Sequence, residues 1–201
     1  MARGEQEYIR TYTGKKCWPV DPRIEDIDIK DIAHALSLLC RFTGHVREFY
    51  SVGDHSLRVS ELCSTENKLW GLLHDASEAY LVDLARPVKR TPEFGVPYRA
   101  VEGRLMKCIC EKFNLSEGEP PEVKEADNRL LRTEQRDLMP VPNDGPLTDN
   151  DRWKDGFKPL KDKIVPRTSK EVEALFLAQY NLLILPQTNS TVPSNQSSKD
   201  L

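Results

Sequence analysis

Apolar residues recur at helical spacing along most of this chain. From Asp26 onward they fall at Ile29, Ile32, Ala33, Leu36 and Leu39, the arrangement of a helix with one buried face. The same spacing predicts helices around Val52–Leu62 (through Val52, His55, Val59 and Leu62), over Asn67–Tyr80, and over Pro97–Phe113. Glu122–Met139 carries Val123, Ala126, Leu130, Leu131 and Leu138 on one side. A last helix is predicted over Ser169–Leu185, with Ser169 as N-cap and Glu171 and Glu173 in the first turn, where acids offset the helix dipole. Alternating apolar–polar runs are nearly absent, so the predicted class is all-α, a compact helical bundle.

The pattern breaks in three places. Residues 1–25 hold turn formers, aromatics and prolines (Tyr12, Gly14, Trp18, Pro19, Pro22) and read as an irregular N-terminal arm on the bundle formed by 26–186. Residues 140–168 are rich in Pro, Asp and Gly, which predicts a long surface loop before the last helix. Loops of that length often border functional sites. Residues 187–201 are Ser, Asn and Thr without apolar period and are expected to be disordered.

Composition narrows the function classes. A chain of 201 residues with 38% apolar and 30% charged residues reads as one soluble globular domain. A net charge of −3 argues against a protein whose main task is to grip nucleic acid. No apolar run is long enough to span a membrane, and MARGEQEYIR has no apolar signal core, so a cytoplasmic location is expected. The cysteines (Cys17, Cys40, Cys63, Cys108, Cys110) are odd in number and form no CxxC pair. That disfavours a disulfide framework or a four-cysteine zinc site and predicts small buried thiols.

The histidines change the picture. All four (His34, His45, His55, His74) fall between positions 34 and 74. His74 is followed by Asp75 at the end of the apolar run Leu69–Leu73, where a polar dyad is costly to bury without compensation. His55 lies on the apolar stripe of its own helix, and Asp127 on that of another, four residues after Val123 and four before Leu131. A lone inward His is more often a hydrogen-bonded core residue, and a lone Asp a buried cap. Three helices each turning a metal-competent group inward are better explained by one divalent ion. Imidazole with carboxylate suits Mn, Fe, Co or Zn, with positions left for water and substrate.

Glu78, four residues after His74, is predicted on the same helical face, where a carboxylate can orient or deprotonate a water. Asp83 follows, and Arg86–Arg90, Arg41 and Arg47 offer positive charge for a phosphate.

The segments RFTGH (41–45), SVGDHS (51–56), LLHDASEAY (72–80), DLARPVKR (83–90), YRAVE (98–102) and VKEADNRLL (123–131) together resemble the 5′-deoxynucleotidase branch of the HD-domain phosphohydrolases. The arm and RFTGH look most like prophage and phage versions. The resemblance covers about Ile29 to Met139. It implies metal ligands at His55, His74, Asp75 and Asp127. It also implies catalytic acids at Glu78 and Asp83, and substrate binding by Arg41, Phe42, His45 and Lys89. It implies a homodimer that converts deoxynucleoside 5′-monophosphates to nucleosides and phosphate. Related phage enzymes instead hydrolyse deoxynucleoside triphosphates. A third expectation, a nucleotide-binding module without turnover, is disfavoured by the presence of Glu78. Phe42 departs from the pattern: nucleotidases of this kind carry Trp there, and the smaller ring implies weaker selection against ribose.

Overall fold

The computed structural model describes residues 7–143 and 156–185. The chain enters through a small antiparallel hairpin, β1 (Ile9–Arg10) and β2 (Lys16–Cys17), and a 3-10 turn at Ile24–Asp26. The remainder is helical: α1 (Ile29–Leu38), α2 (Val52–Leu62), α3 (Lys68–Leu73), α4 (Glu78–Leu81), α5 (Arg86–Lys89), α6 (Pro92–Phe113), α7 (Pro121–Asp137) and α8 (Ser169–Ile184). The fold is all-α, as the periodicity predicts.

The arm is tied down rather than loose. The Thr13 backbone N–H and hydroxyl both donate to the Asp31 carboxylate (2.6 and 2.9 Å), and Cys17 is fully buried in the core. The first helix begins three residues later than Asp26 because Asp28 caps it, its carboxylate accepting the Lys30 N–H at 3.0 Å. At the last helix the cap is Thr168, not Ser169, in a reciprocal capping box with Glu171.

α2 is the central element, packed on α1, α3, α7 and α8. Val52 and Leu57 face a core shared with Leu36, Leu72, Leu73, Leu105 and Phe176, and Val59 faces a second one with Tyr50, Trp70, Val123 and Leu130. Burying each such side chain contributes about 1.5–3 kcal/mol. Gly71 lets α3 lie directly against α2, since a Cβ there would stand 3.0 Å from the Ser60 Cα. Gly95 plays a similar part for α5: its missing Cβ leaves room for the Lys89 carbonyl.

Two departures from the sequence reading shape the site. The single helix expected over Asn67–Tyr80 is interrupted at His74–Ser77. The His74 ring Nδ1 meets the Gly71 carbonyl at 2.8 Å, taking the acceptor that the Asp75 N–H would use in a continuing α-helix. The chain then tightens to i→i+3 bonds, Ala76 to Leu73 and Glu78 to Asp75 (both 3.0 Å), before α4 forms. The segment before α8 is the second departure. Of its described residues, 140–143 and 156–168, the second stretch is a strap rather than a free surface excursion. Leu160 N–H donates to Thr133 Oγ1 (2.9 Å), Ile164 N–H to Asp137 Oδ2 (2.9 Å) and Arg167 N–H to Asp54 Oδ2 (3.0 Å), with Ile164 buried. α6 also starts earlier than Pro97, at Pro92.

The expected disordered tail lies outside the described residues. All five cysteines are free, Cys17 and Cys63 buried and the others half-buried. Among the described residues no helix is long and apolar enough to cross a membrane.

Candidate metal centre

Three helices converge where α2, the end of α3 and α7 meet. α2 supplies His55, which is fully buried. The turn after α3 supplies His74 and Asp75, and α7 supplies Asp127, also buried. His55 Nε2 lies 3.1 Å from His74 Nε2, 3.6 Å from Asp75 Oδ2 and 3.4 Å from Asp127 Oδ1. His74 Nε2 lies 3.2 Å from Asp75 Oδ2. The ligand atoms of His55, His74 and Asp75 all fall within 4.8 Å of one another, so this group can hold a metal ion.

The partners on the far side of each ring fix which nitrogen faces the centre. His74 Nδ1 points at the Gly71 carbonyl (2.8 Å), which only accepts, so Nδ1 donates. His55 Nδ1 lies 2.7 Å from Glu134 Oε1. Burial opposes ionisation of Glu134, but Arg41 and His55 outweigh it and bring its carboxyl down to about 2, so it too accepts. Both Nε2 lone pairs are therefore aimed at the same point, beside two carboxylates. Burial and Arg41 work against a proton on His55, yet Glu134 and Asp127 raise it to about 9. Burial likewise opposes the charge on Asp75 and Asp127, and the histidines overcome it, holding both carboxyls well below their usual range. Nitrogen and oxygen donors converge here, a donor set that fits a borderline divalent cation.

A second group of charges adjoins it. Arg41, buried in the turn before α2, donates from Nη2 to Glu134 Oε2 (3.1 Å) and lies 3.5 Å from Asp75 Oδ2 through Nη1. Its Nε is buried without a protein partner. Glu78 is buried, with Oε1 3.8 Å from Lys89 Nζ and Oε2 unpartnered. Burial, then the neighbouring Asp75 and Asp83, push the Glu78 carboxyl well above its usual value. Asp83 is raised by burial and by Asp75, with Arg41 opposing. Lys89 is held by Glu102 at 2.6 Å. The structure thus brings Glu78, Asp83, Arg41 and Lys89 together beside Asp75.

Phe42 and His45 stand differently. Phe42 is half-buried at φ 55°, with the Arg41 guanidinium 5.5 Å from its ring centroid. His45 caps the same turn with its side chain exposed, and among the described residues no side-chain partner ties it to the cluster.

Two residues at the site, Glu134 and Lys124, escaped the sequence reading. Glu134 grips both His55 and Arg41. It lies on the stripe that singled out Asp127, four residues after Leu130 and four before Leu138. Lys124 Nζ meets Asp127 Oδ2 at 3.0 Å, and Arg86 Nη2 stands 4.0 Å from the same oxygen. Lys124 looked like an ordinary surface cation in the sequence, whereas Arg86 belongs to the basic 86–90 segment offered there for a phosphate.

No family model matches the chain. It is 40% identical over 132 residues to the uncharacterized protein YfdR of Escherichia coli K12, an overlap spanning 65% of this chain and 72% of that protein. The chain belongs to the family of YfdR. The chain is also 36% identical over 131 residues to an uncharacterized protein of Rhodobacter capsulatus, spanning 61% of this chain and 66% of that one.

Proposed function

We propose that this chain is a metal-dependent nucleotide phosphohydrolase of the HD-domain type, hydrolysing deoxynucleoside 5′-monophosphates. The observation that carries the reading is the convergence of His55 Nε2 and His74 Nε2, 3.1 Å apart, on the Asp75 and Asp127 carboxylates, with a buried acid and a buried arginine alongside.

His55, His74, Asp75 and Asp127 would hold one divalent ion. Such an ion polarises a phosphate oxygen and lowers the pKa of water. The remaining chemistry belongs to the chain. Arg41 receives phosphate oxygens, its orphaned Nε gaining the acceptor it lacks and its rigid fork allowing bidentate contact. Glu78 orients the attacking water and takes its proton at Oε2, the atom that has no partner within the protein. Asp83, buried beside Asp75, would supply a proton to the departing 5′ oxygen. Lys89, between Glu78 and Glu102, balances charge on the phosphate.

One observation favours a longer phosphate chain as a second reading. Lys124 and Arg86 both stand on the outer oxygen of Asp127, placing two more cations at the edge of the centre. The deciding experiment incubates Mn-, Co- or Zn-loaded protein with a panel of nucleoside mono-, di- and triphosphates and identifies the products. Nucleoside and inorganic phosphate support the first reading, and released triphosphate the second. Absence of turnover on every member, with metal bound, removes the enzymatic reading.

A further inference from the structure

Glu134 is fully buried, in a stripe otherwise made of Leu130, Leu131 and Leu138. A carboxylate there is costly to desolvate, and an apolar residue would serve stability alone at least as well. Its two oxygens are divided between two different groups. Oε1 takes the Nδ1 proton of His55 at 2.7 Å, and Oε2 takes an Nη2 proton of Arg41 at 3.1 Å. Asp127 comes from the same face of α7 two turns earlier and meets the opposite nitrogen of the same ring at 3.4 Å. One helix thus addresses both edges of His55.

We infer that Glu134 is a positioning residue that sets the metal ligand and the anion-binding arginine together. Through Oε1 it fixes the tautomer and plane of His55 so that Nε2 faces the centre. Through Oε2 it holds the Arg41 fork so that Nη1 stays beside Asp75 while Nε is left for an anion. The inference rests on the metal-centre reading. It adds that the cation site and the phosphate site are aligned by a single side chain that touches neither ligand.

Glu134→Gln separates the two duties. An amide has one acceptor oxygen and one donor nitrogen. If its oxygen serves His55, its NH₂ opposes the Arg41 NH₂. If its oxygen serves Arg41, its NH₂ drives His55 to carry the proton on Nε2, where it blocks the metal. The full-length protein and Glu134→Gln are titrated with Mn²⁺ alone, then with inorganic phosphate at saturating Mn²⁺. The expected result is either an Mn²⁺ Kd about 10–100-fold weaker or, where the amide oxygen stays on His55, weaker phosphate binding at saturating metal. A purely structural residue would lower the melting temperature and leave both constants per folded molecule unchanged, and that result overturns the inference.

Should the variant fail to fold, the wild type gives a second readout. With ¹⁵N-labelled histidine and bound Zn²⁺, the His55 ring is expected to carry its proton on Nδ1. A proton on Nε2 overturns the inference. Wild-type protein that binds neither Mn²⁺ nor Zn²⁺ removes the metal centre itself, a failure distinct from a variant that binds both as well as wild type.

Discussion

His55 Nε2 and His74 Nε2 lie 3.1 Å apart, and each ring has committed its Nδ1 proton elsewhere, to Glu134 and to the Gly71 carbonyl. As neutral rings they would set two lone pairs face to face among carboxylates. A positive charge belongs between them, either a proton or a metal ion, and the two compete for one place.

That competition has a pH signature. In the metal-free protein His55 is raised from 6.5 to about 9. A group whose folded pKa is raised stabilises fully below its unfolded value and loses that contribution as pH rises through the folded one. Metal-free protein is therefore expected to lose melting temperature as pH climbs from about 6.5 to 9. Metal-loaded protein, with no proton at Nε2, should lack that slope. Metal binding near pH 7.5 should release close to one proton, and apparent affinity should rise about tenfold per pH unit below that pKa. Calorimetry in buffers of different ionisation enthalpy measures the release. Binding without proton release would show that His55 is not displaced by the metal.

Glu78 gives the second prediction. Its Oε2 is buried without a partner, and its neighbours Asp75 and Asp83 repel its charge. Such a residue costs the fold more than it returns, so Glu78→Gln should keep or raise the melting temperature and leave metal content unchanged. Turnover should fall about a hundredfold or more, the scale of lost acid–base assistance. Metal analysis, thermal denaturation and initial rates on the same preparation check it. Near-normal turnover would return Glu78 to a merely structural role.

How far the sequence reaches depends on where each residue's partner lies. His55 and Asp127 were legible because a polar group on an apolar stripe must find compensation, and the structure puts them 3.4 Å apart. Glu134 obeys the same rule, but its meaning depends on Arg41 and His55, distant in sequence, so periodicity alone could not assign it. Arg41 and Lys89 came from resemblance, since exposed and buried arginines look alike in a sequence. The break between α3 and α4 was hidden because it turns on one ring hydrogen bond, His74 to Gly71, in a run whose apolar pattern continues unbroken. The strap at 156–168 was unreadable for a related reason. Backbone N–H groups fix it to Thr133, Asp137 and Asp54, and backbone donors leave no mark on composition.

Val82 yields a prediction from strain. It sits at φ 74°, ψ 159°, between Glu78 and Asp83, with its side chain exposed. That region is almost exclusive to glycine and costs a β-branched residue about 1–3 kcal/mol. The conformation is held at both ends, its N–H donating to the Glu78 carbonyl at 2.9 Å and its carbonyl accepting the Tyr98 hydroxyl at 2.7 Å. Val82→Gly relieves the strain but loosens the unfolded chain, which takes back about 0.4–1 kcal/mol. A net gain of about 1 kcal/mol is expected from these opposing terms, readable by denaturant titration. Destabilisation instead would mean that the Val82 side chain makes a contribution its exposure does not suggest.

The last prediction concerns the sugar. Phe42 is half-buried next to Arg41, in a left-handed turn that Arg41 anchors through its N–H to the Tyr50 carbonyl at 2.9 Å. If Arg41 holds the phosphate, the ring one residue on lies within reach of the ribose, and a ring offers no hydrogen bond to a 2′-hydroxyl. A buried hydroxyl without a partner costs about 1–3 kcal/mol, or roughly ten- to a hundredfold in preference. Phe covers less surface than Trp, and the Arg41 guanidinium stands 5.5 Å from its ring centroid, so the weaker end of that range is expected. Phe42→Ala should reduce the ratio of deoxy to ribo kcat/KM toward one, while Phe42→Trp should raise it. Neither should alter metal content, because Phe42 touches none of His55, His74, Asp75 or Asp127. Equal kcat/KM on matched ribo- and deoxynucleotides in the wild type would refute the sugar contact and leave the metal centre untouched.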